Sequence, residues 1–337
     1  MNHQQIKTVA IINDTSLTNH YGCLLVMENL RGLLEEAGVQ VVWAWPVGKD
    51  WRKYKRQILN KPKVDLIIVN GEGTIHHSAT RKHARALSEF AEFAKLKLDT
   101  PSVLINATLY KNQPSLYQTL KYYQNVFVRD RESLFELNQN GLHGEYVPDM
   151  TFAKQLNIDV QPTKKGLVID TALKHEIPKL KAFCKKNAFD FTSMVVARPK
   201  NENFFKSPRP FVKSIYKWLT LDRKRSTKPQ DYIKQLKTYH VVVTGRYHTV
   251  TMCIKHQIPF IAIESNTPKI SNLLQDCYGS VHRVINFENL DSINLAEYAF
   301  FSPEEQESAK RFSMFAEQSI ANMVDSIIYG SEFKALK

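Results

Sequence analysis

Two side chains of chemical interest stand two positions apart at the end of an apolar run. In "VVVTGRYHT", Arg246 and His248 follow the stretch 241–245. A guanidinium in such a place is prohibitively costly unless it meets an anion, so Arg246 must face a carboxylate of the protein or an anionic ligand. His248 is of the one type that titrates near neutrality, which suits it to give or take a proton. Three further stretches put reactive types in similar positions. In "NGEGT", Gly71 and Gly73 let backbone amides approach a ligand closely, with Glu72 between them and the Thr74 hydroxyl behind. "FVRDRES" ends its apolar run in Arg129, a fork for a carboxylate or phosphate, or else half of a structural pair with Asp130. "VPDM" places Asp149 in a Pro-Asp turn. His76, His77 and His83 also cluster, but adjacent histidines rarely chelate one ion, and no metal is expected.

These residues need a frame that gathers them. Short apolar runs alternate with helix-period segments, the pattern of parallel α/β units. Strands are expected at 7–13, 39–45, 64–74, 101–107, from 125, at 144–152, 166–170 and 189–197, and on both sides of the helix-like "YHTVTMCIKHQ". Helices are expected at 24–38, 81–97, 228–239 and from Ser302-Pro303-Glu304-Glu305 to about Tyr329, where Ser and Pro start a helix and the acids face its dipole. In open parallel sheets, ligands sit at the carboxyl ends of strands, beside helix N-termini. The polar stretch 157–166 reads as a linker. The expected units are therefore an N-terminal Rossmann-like domain at 1–160, a second at 161–302, and a C-terminal helix at 303–337 packing back across both, with a cleft between the domains.

The 337 residues carry a formal charge of +13. Lys174 to Lys237 holds 17 Lys and Arg against 5 Asp and Glu, a net of +12, so nearly all the excess lies in one segment. That calls for an anionic neighbour or is a solvated face. No nucleic-acid recognition motif accompanies it, and nucleic acid is not the expected partner. The basic, aromatic-laced stretch 204–225 instead suits an anionic membrane surface. No run reaches the roughly 18 apolar residues of a membrane span, and no leader pattern opens the sequence. Cys23, Cys184, Cys253 and Cys277 lie far apart, as reduced thiols do. A cytoplasmic location is expected, peripheral on the inner face of the cell membrane.

Taken in order, these stretches resemble the polysaccharide pyruvyl transferase family, over about residues 8 to 275. The motifs that carry the likeness are Asn19 to Gly22, "NGEGT", "VRDRES", "VPD", and "GRYHTVTMCIKHQIPFIAI" followed by Lys269. The resemblance implies a GT-B-like fold with an acceptor-side N-terminal domain and a donor-side C-terminal domain. It also implies transfer of pyruvate from phosphoenolpyruvate to a sugar of a surface glycan or its lipid-linked precursor, as a cyclic ketal, without cofactor or metal. Matched by position, Arg246 and His248 are the family's basic pair and Arg129 its other anion-binding arginine. Asn19, Gly22, Gly71, Glu72, Gly73, Thr74, Asp149, Glu264 and Lys269 fall into the substrate site. Three departures stand out: Cys23 replaces an Asp, Glu72 interrupts a glycine triplet, and Glu264 sits where a neutral residue is common. An acid there suits a ribose hydroxyl, so the alternative is a GT-B glycosyltransferase using a UDP- or CMP-linked sugar.

Overall fold

A computed structural model describes residues 5–154, 156–198 and 208–330. Residues 199–207, which open the basic aromatic segment, and 331–337 lie outside the described residues. The first sheet contains β1 (Thr8–Asp14), β2 (Gln40–Pro46), β3 (Leu66–Glu72), β4 (Ser102–Ala107), β5 (Asn125–Val128) and β6 (Glu145–Tyr146). Their order is β2-β1-β3-β4-β5-β6. The second contains β7 (Lys164–Thr171), β8 (Asp190–Thr192), β9 (Tyr239–Gly245), β10 (Phe260–Ile263) and β11 (Val284–Ile285), in the order β11-β10-β9-β7-β8. Every ladder between these strands is parallel. The protein thus consists of two parallel-sheet α/β domains.

Parallel neighbours need crossovers, which helices supply. In the first half these are α1 (Tyr21–Glu36), α2 (Lys55–Leu59), α3 (Lys82–Phe93), α4 (Pro114–Leu120) and α5 (Arg131–Gln139). The second half adds α6 (Ile177–Asn187), α7 (Pro208–Lys217), α8 (Pro229–Lys237), α9 (Tyr247–Lys255), α10 (Lys269–Tyr278), α11 (Leu295–Tyr298) and α12 (Pro303–Tyr329). Helices cover both faces of each sheet, so strands read as unbroken apolar runs: Val9 to Ile12 and Leu66 to Val69 are all buried. Each such side chain contributes roughly 1.5–3 kcal/mol through burial.

Register aligns the carboxyl ends. Glu72 pairs with Ala107 and Ala107 with Val128, so the residues after β3, β4 and β5 emerge side by side. In the second sheet Thr171 pairs with Gly245, which brings the ends of β7 and β9 together. The halves are held against each other by one continuous apolar core that includes α12. Tyr21 stacks on Tyr232 at 4.4 Å, Phe152 meets Phe312 edge-on at 5.3 Å, and the Thr151 hydroxyl bonds that of Thr251 at 2.7 Å. α12 starts on the Ser302–Glu305 capping box with Pro303 in its first turn, and Gly330 at φ 62° stops it.

Some elements differ from the sequence expectation. The strand at 144–152 shrinks to two residues, because Pro148 has no N–H to donate and Asp149 caps a turn by accepting from Thr151 N–H at 2.9 Å. The strand at 189–197 stops at Thr192, where the Asp170 carboxylate takes the Ser193 hydroxyl (2.6 Å) and the Met194 N–H (3.2 Å). α4 and α6 arise in stretches given no element from sequence, each with Pro in its first turn.

Candidate functional site

The ends of β3, β5, β7 and β9 and the start of α10 meet between the two halves, and the cations expected there are present but differently partnered. Arg129 follows β5 and is almost fully buried. Its Nε donates to the Thr108 hydroxyl at 2.7 Å and its Nη1 to Asp149 Oδ2 at 2.7 Å. Its guanidinium carbon stands over the Tyr247 ring, 4.2 Å from the ring centre. Among the described residues its Nη2 has no hydrogen-bond partner, and it lies 3.5 Å from the point where a Cβ on Gly73 would stand. Asp130 is not its partner. That carboxylate caps α5 through the Ser133 N–H at 2.8 Å and also accepts from Thr108 and Asn272.

Arg246 is the N-cap residue of α9, and the anion it meets is Asp170 at the end of β7. The fork is bidentate, Nε and Nη2 reaching the two carboxylate oxygens at 3.0 and 2.9 Å. His248, two residues on, is buried, and its Nε2 lies 3.6 Å from Asp149 Oδ2 without a hydrogen-bond partner among the described residues. Burial alone would raise the Asp149 carboxyl, but His248 and Arg129 outweigh it and hold the group below the usual carboxylate range. Gly22 explains itself here: a Cβ at that position would stand 2.2 Å from His248 Cβ. Only glycine leaves room for the imidazole against α1.

Lys269 opens α10. Burial first, then Arg129, pushes its ammonium down to about 8, with Arg81 and Arg246 adding to the effect and Glu264 opposing it. It makes no ion pair among the described residues, and its Nζ and Arg129 Nη2 both lie within 4 Å of the point where a Cβ on Gly73 would stand, at 3.8 and 3.5 Å. Gly73 therefore faces two cations with nothing between. Behind them, Arg81 Nη1 contacts His76 Nε2 at 2.6 Å, and burial with Arg81 pulls the His76 ring down to about 3, so it stays neutral.

The remaining residues chosen from sequence play other parts. Gly71 is a packing glycine, since a Cβ there would sit 2.6 Å from that of Ala107. Glu72, at φ 39°, accepts from Thr15 (2.7 Å), Asn70 (2.8 Å) and the Cys23 thiol (3.2 Å), so it braces the turn from beneath. Burial and Glu72 push that thiol well up, so Cys23 stays protonated. Thr74 closes the turn by its N–H on Gly71 O. Asn19 offers its carbonyl to Val196 N–H at 2.8 Å and ties the halves together. Both Glu264 oxygens are occupied at the start of α10, by Ser265 N–H (2.9 Å) and by Ser271 N–H and hydroxyl (3.0 and 2.5 Å). Asp170, Tyr247, Thr108 and Arg81 were not singled out from sequence. Asp170 was within reach, because "GLVID" ends in it and the same strand-end rule applies.

Among the described residues one group has metal-ligand spacing: His20, Cys23 and His248, whose ligand atoms lie within 4.8 Å of one another. His20 Nδ1 already accepts from Cys23 N–H at 3.3 Å, and Arg246 and Lys269 bear on the same spot. The setting suits an anion better than a second cation.

Comparison with known proteins gives a family and a fold. The family described as Polysaccharide pyruvyl transferase matches residues 20–267. No curated protein matches the sequence significantly. Among solved structures, a putative UDP-N-acetylglucosamine 2-epimerase from Listeria monocytogenes aligns over 99% of this chain and 100% of its own at 10% identity, with a TM-score of 0.59. An α,α-trehalose-phosphate synthase (UDP-forming) from Burkholderia vietnamiensis aligns over 97% and 100% at 9% identity, TM-score 0.54. UDP-GlcNAc 2-epimerase of Methanocaldococcus jannaschii aligns over 91% and 99% at 12%, TM-score 0.51. At these identities the likeness concerns the fold, which is GT-B-like.

Proposed function

This chain belongs to the polysaccharide pyruvyl transferase family, and from that premise we propose that it transfers pyruvate from phosphoenolpyruvate to a sugar, forming a cyclic ketal. The observation that carries the reading is a pair of donors, Arg129 Nη2 and Lys269 Nζ, that converge over Gly73 and are unmatched among the described residues. A buried cation lowered by its neighbours is stabilised by a doubly charged anion, and phosphoenolpyruvate brings both a phosphate and a carboxylate. In this reading Asn19, Gly22 and Thr74 are assigned to the walls of the same space, and Gly71, Glu72 and Asp149 to its support. Arg246, locked on Asp170, acts as a wall of fixed charge, so the two-arginine clamp expected from sequence becomes Arg129 with Lys269.

In the proposed chemistry His248, as imidazolium held beside Asp149, gives a proton to the donor's methylene carbon. The adjoining carbon gains oxocarbenium character, and a sugar hydroxyl oxygen bonds to it, returning a proton to His248. The carbon–oxygen bond to phosphate breaks, phosphate leaves toward Lys269 and Arg129, and a second hydroxyl closes the ketal as its proton passes to the departing phosphate. No cofactor is invoked. The nucleotide-sugar alternative asks Glu264 to hold a ribose, and both of its oxygens are already engaged.

The anionic membrane partner rests on α7 and the turn after it. Val212, Tyr216 and Leu219 are exposed at helical spacing, followed by exposed Leu221, and Arg209, Lys213 and Lys217 flank them. Such a surface suits a peripheral enzyme meeting a lipid-linked acceptor at the inner leaflet. No helix among the described residues is long and apolar enough to cross a membrane.

Thermal-shift measurements against phosphoenolpyruvate, UDP-sugars and CMP-linked acids test the donor, since the true one raises the melting temperature by mass action, about 2.7 kcal/mol of stabilisation at a hundredfold excess over Kd. Stabilisation by a nucleotide sugar alone would refute the reading. His248→Ala is expected to keep the fold and lose about 10²–10⁴ in turnover.

A further inference from the structure

Beside the cation pair lies a groove of about 530 Å³ between α5 and α10, roofed by the segment that follows β4. Its lining residues adjoin those of the anion site along the chain. Leu109 and Tyr110 follow the Thr108 that holds Arg129, while Pro268 and Ser271 flank Lys269. Its character is nevertheless the reverse. In a chain of formal charge +13, no Lys, Arg or His among the described residues lines it, whereas Glu132, Glu136 and Asp276 do. Arg131, whose guanidinium comes within 3.8 Å of Asp276, lines a neighbouring hollow instead. Gln139, Asn272 and Gln275 add amide donors and acceptors to these carboxylates. Phe135, 60% exposed, lines the groove with Tyr110.

We infer that this groove is the acceptor subsite and that it takes a sugar bearing no acidic group, neutral or amino-substituted. The inference rests on the pyruvyl-transfer reading for its choice of acceptor, and the chemistry of the lining supplies the class. Aromatic faces cover the apolar C–H face of a pyranose, and carboxylates and amides accept from its hydroxyls and welcome an ammonium. A uronate in the same place would bring a further carboxylate beside Glu132 and Glu136, with no Lys, Arg or His among the described lining residues to meet it. Placing donor and acceptor on opposite-signed surfaces also keeps the doubly anionic donor out of the acceptor groove.

Saturation-transfer NMR on the full chain tests this with methyl galactoside, methyl glucosaminide, methyl glucuronide and UMP as probes, on wild type and Phe135→Ala. The expected result is transfer to the galactoside or glucosaminide that falls several-fold in Phe135→Ala, with the glucuronide and UMP giving little. Strongest transfer to the glucuronide or UMP overturns the inference, as does signal from no sugar at all or signal indifferent to Phe135. Phosphoenolpyruvate thermal shifts on the same two proteins read the donor site separately. If phosphoenolpyruvate stabilises both and no sugar binds, the groove assignment alone fails. If sugars bind through Phe135 and phosphoenolpyruvate does nothing, the groove stands and the donor reading falls.

Discussion

Each sheet ends in an arginine paired with an aspartate, yet the two pairs are built for different work. Arg129 and Asp149 are buried to 2% and 0% side-chain exposure, and Arg129 keeps one nitrogen free toward Gly73. Arg246 and Asp170 retain 18% and 12%, and both carboxylate oxygens are taken by the fork. A deeply buried pair with a spare donor is poised for a ligand, whereas a closed bidentate pair braces the strand ends that carry it. Charge at a strand end is therefore a poor guide to ligand contact until the partner is known. The unmatched cation on the second half is Lys269, not Arg246.

The sharpest way to break this comparison is to delete each arginine. Arg129→Ala leaves Asp149 fully buried with only the Thr151 N–H and the His248 ring beside it and is expected to cost about 3–5 kcal/mol in urea unfolding. Arg246→Ala leaves Asp170 with its Ser193 and Met194 donors and partial hydration, so the expected loss is about 1–2 kcal/mol. Equal losses would erase the distinction.

Carboxylates offer a second contrast. Asp149 is held low by its cations, whereas burial, with Asp130 nearby, pushes Asp276 up to about 7. The folded protein therefore favours protonated Asp276, and the group's contribution to stability is lost as pH rises from about 4 through 7. Asp276→Asn keeps an acceptor for Arg131 N–H and removes the charge. Its stability gain over wild type should be larger at pH 8 than at pH 5 by on the order of 1–2 kcal/mol, measured by denaturant melts at both. A gain that does not change with pH would contradict the assignment.

The smallest expected effect concerns Lys269. A bound dianion raises its affinity for a proton, so the complex takes up a proton above about pH 8. Phosphoenolpyruvate affinity should be level between pH 7 and 8 and fall by up to about tenfold per unit beyond. In Lys269→Met that decline should vanish.

Much of this frame was legible because parallel strands buried on both faces write themselves as apolar runs, and the helices between them as periodic ones. The strand-end rule picked out Arg129, Gly73 and His248 from local pattern, whereas Lys269 came only with the family resemblance. Partners could not be read the same way. Asp170 lies 76 positions from Arg246, and only the register of β7 with β9 brings them together. Nor does the sequence reveal that Gly22 is small for the sake of His248, a contact between α1 and α9. Glu264 looked like a ligand for a ribose because an acid in a cleft loop has that chemistry, but Ser265 and Ser271 claim it first. The groove between α5 and α10 left no motif, since its walls come from opposite halves of the chain.

Isothermal titration of phosphoenolpyruvate into wild type and Lys269→Met at pH 7.5 addresses the central claim directly. Binding in wild type that weakens tenfold or more in the variant, about 1.4 kcal/mol or greater, with an unfolding midpoint no lower than wild type, is the expected result. Absence of binding to wild type, or equal affinity in both proteins, would contradict a dianion held between Arg129 and Lys269.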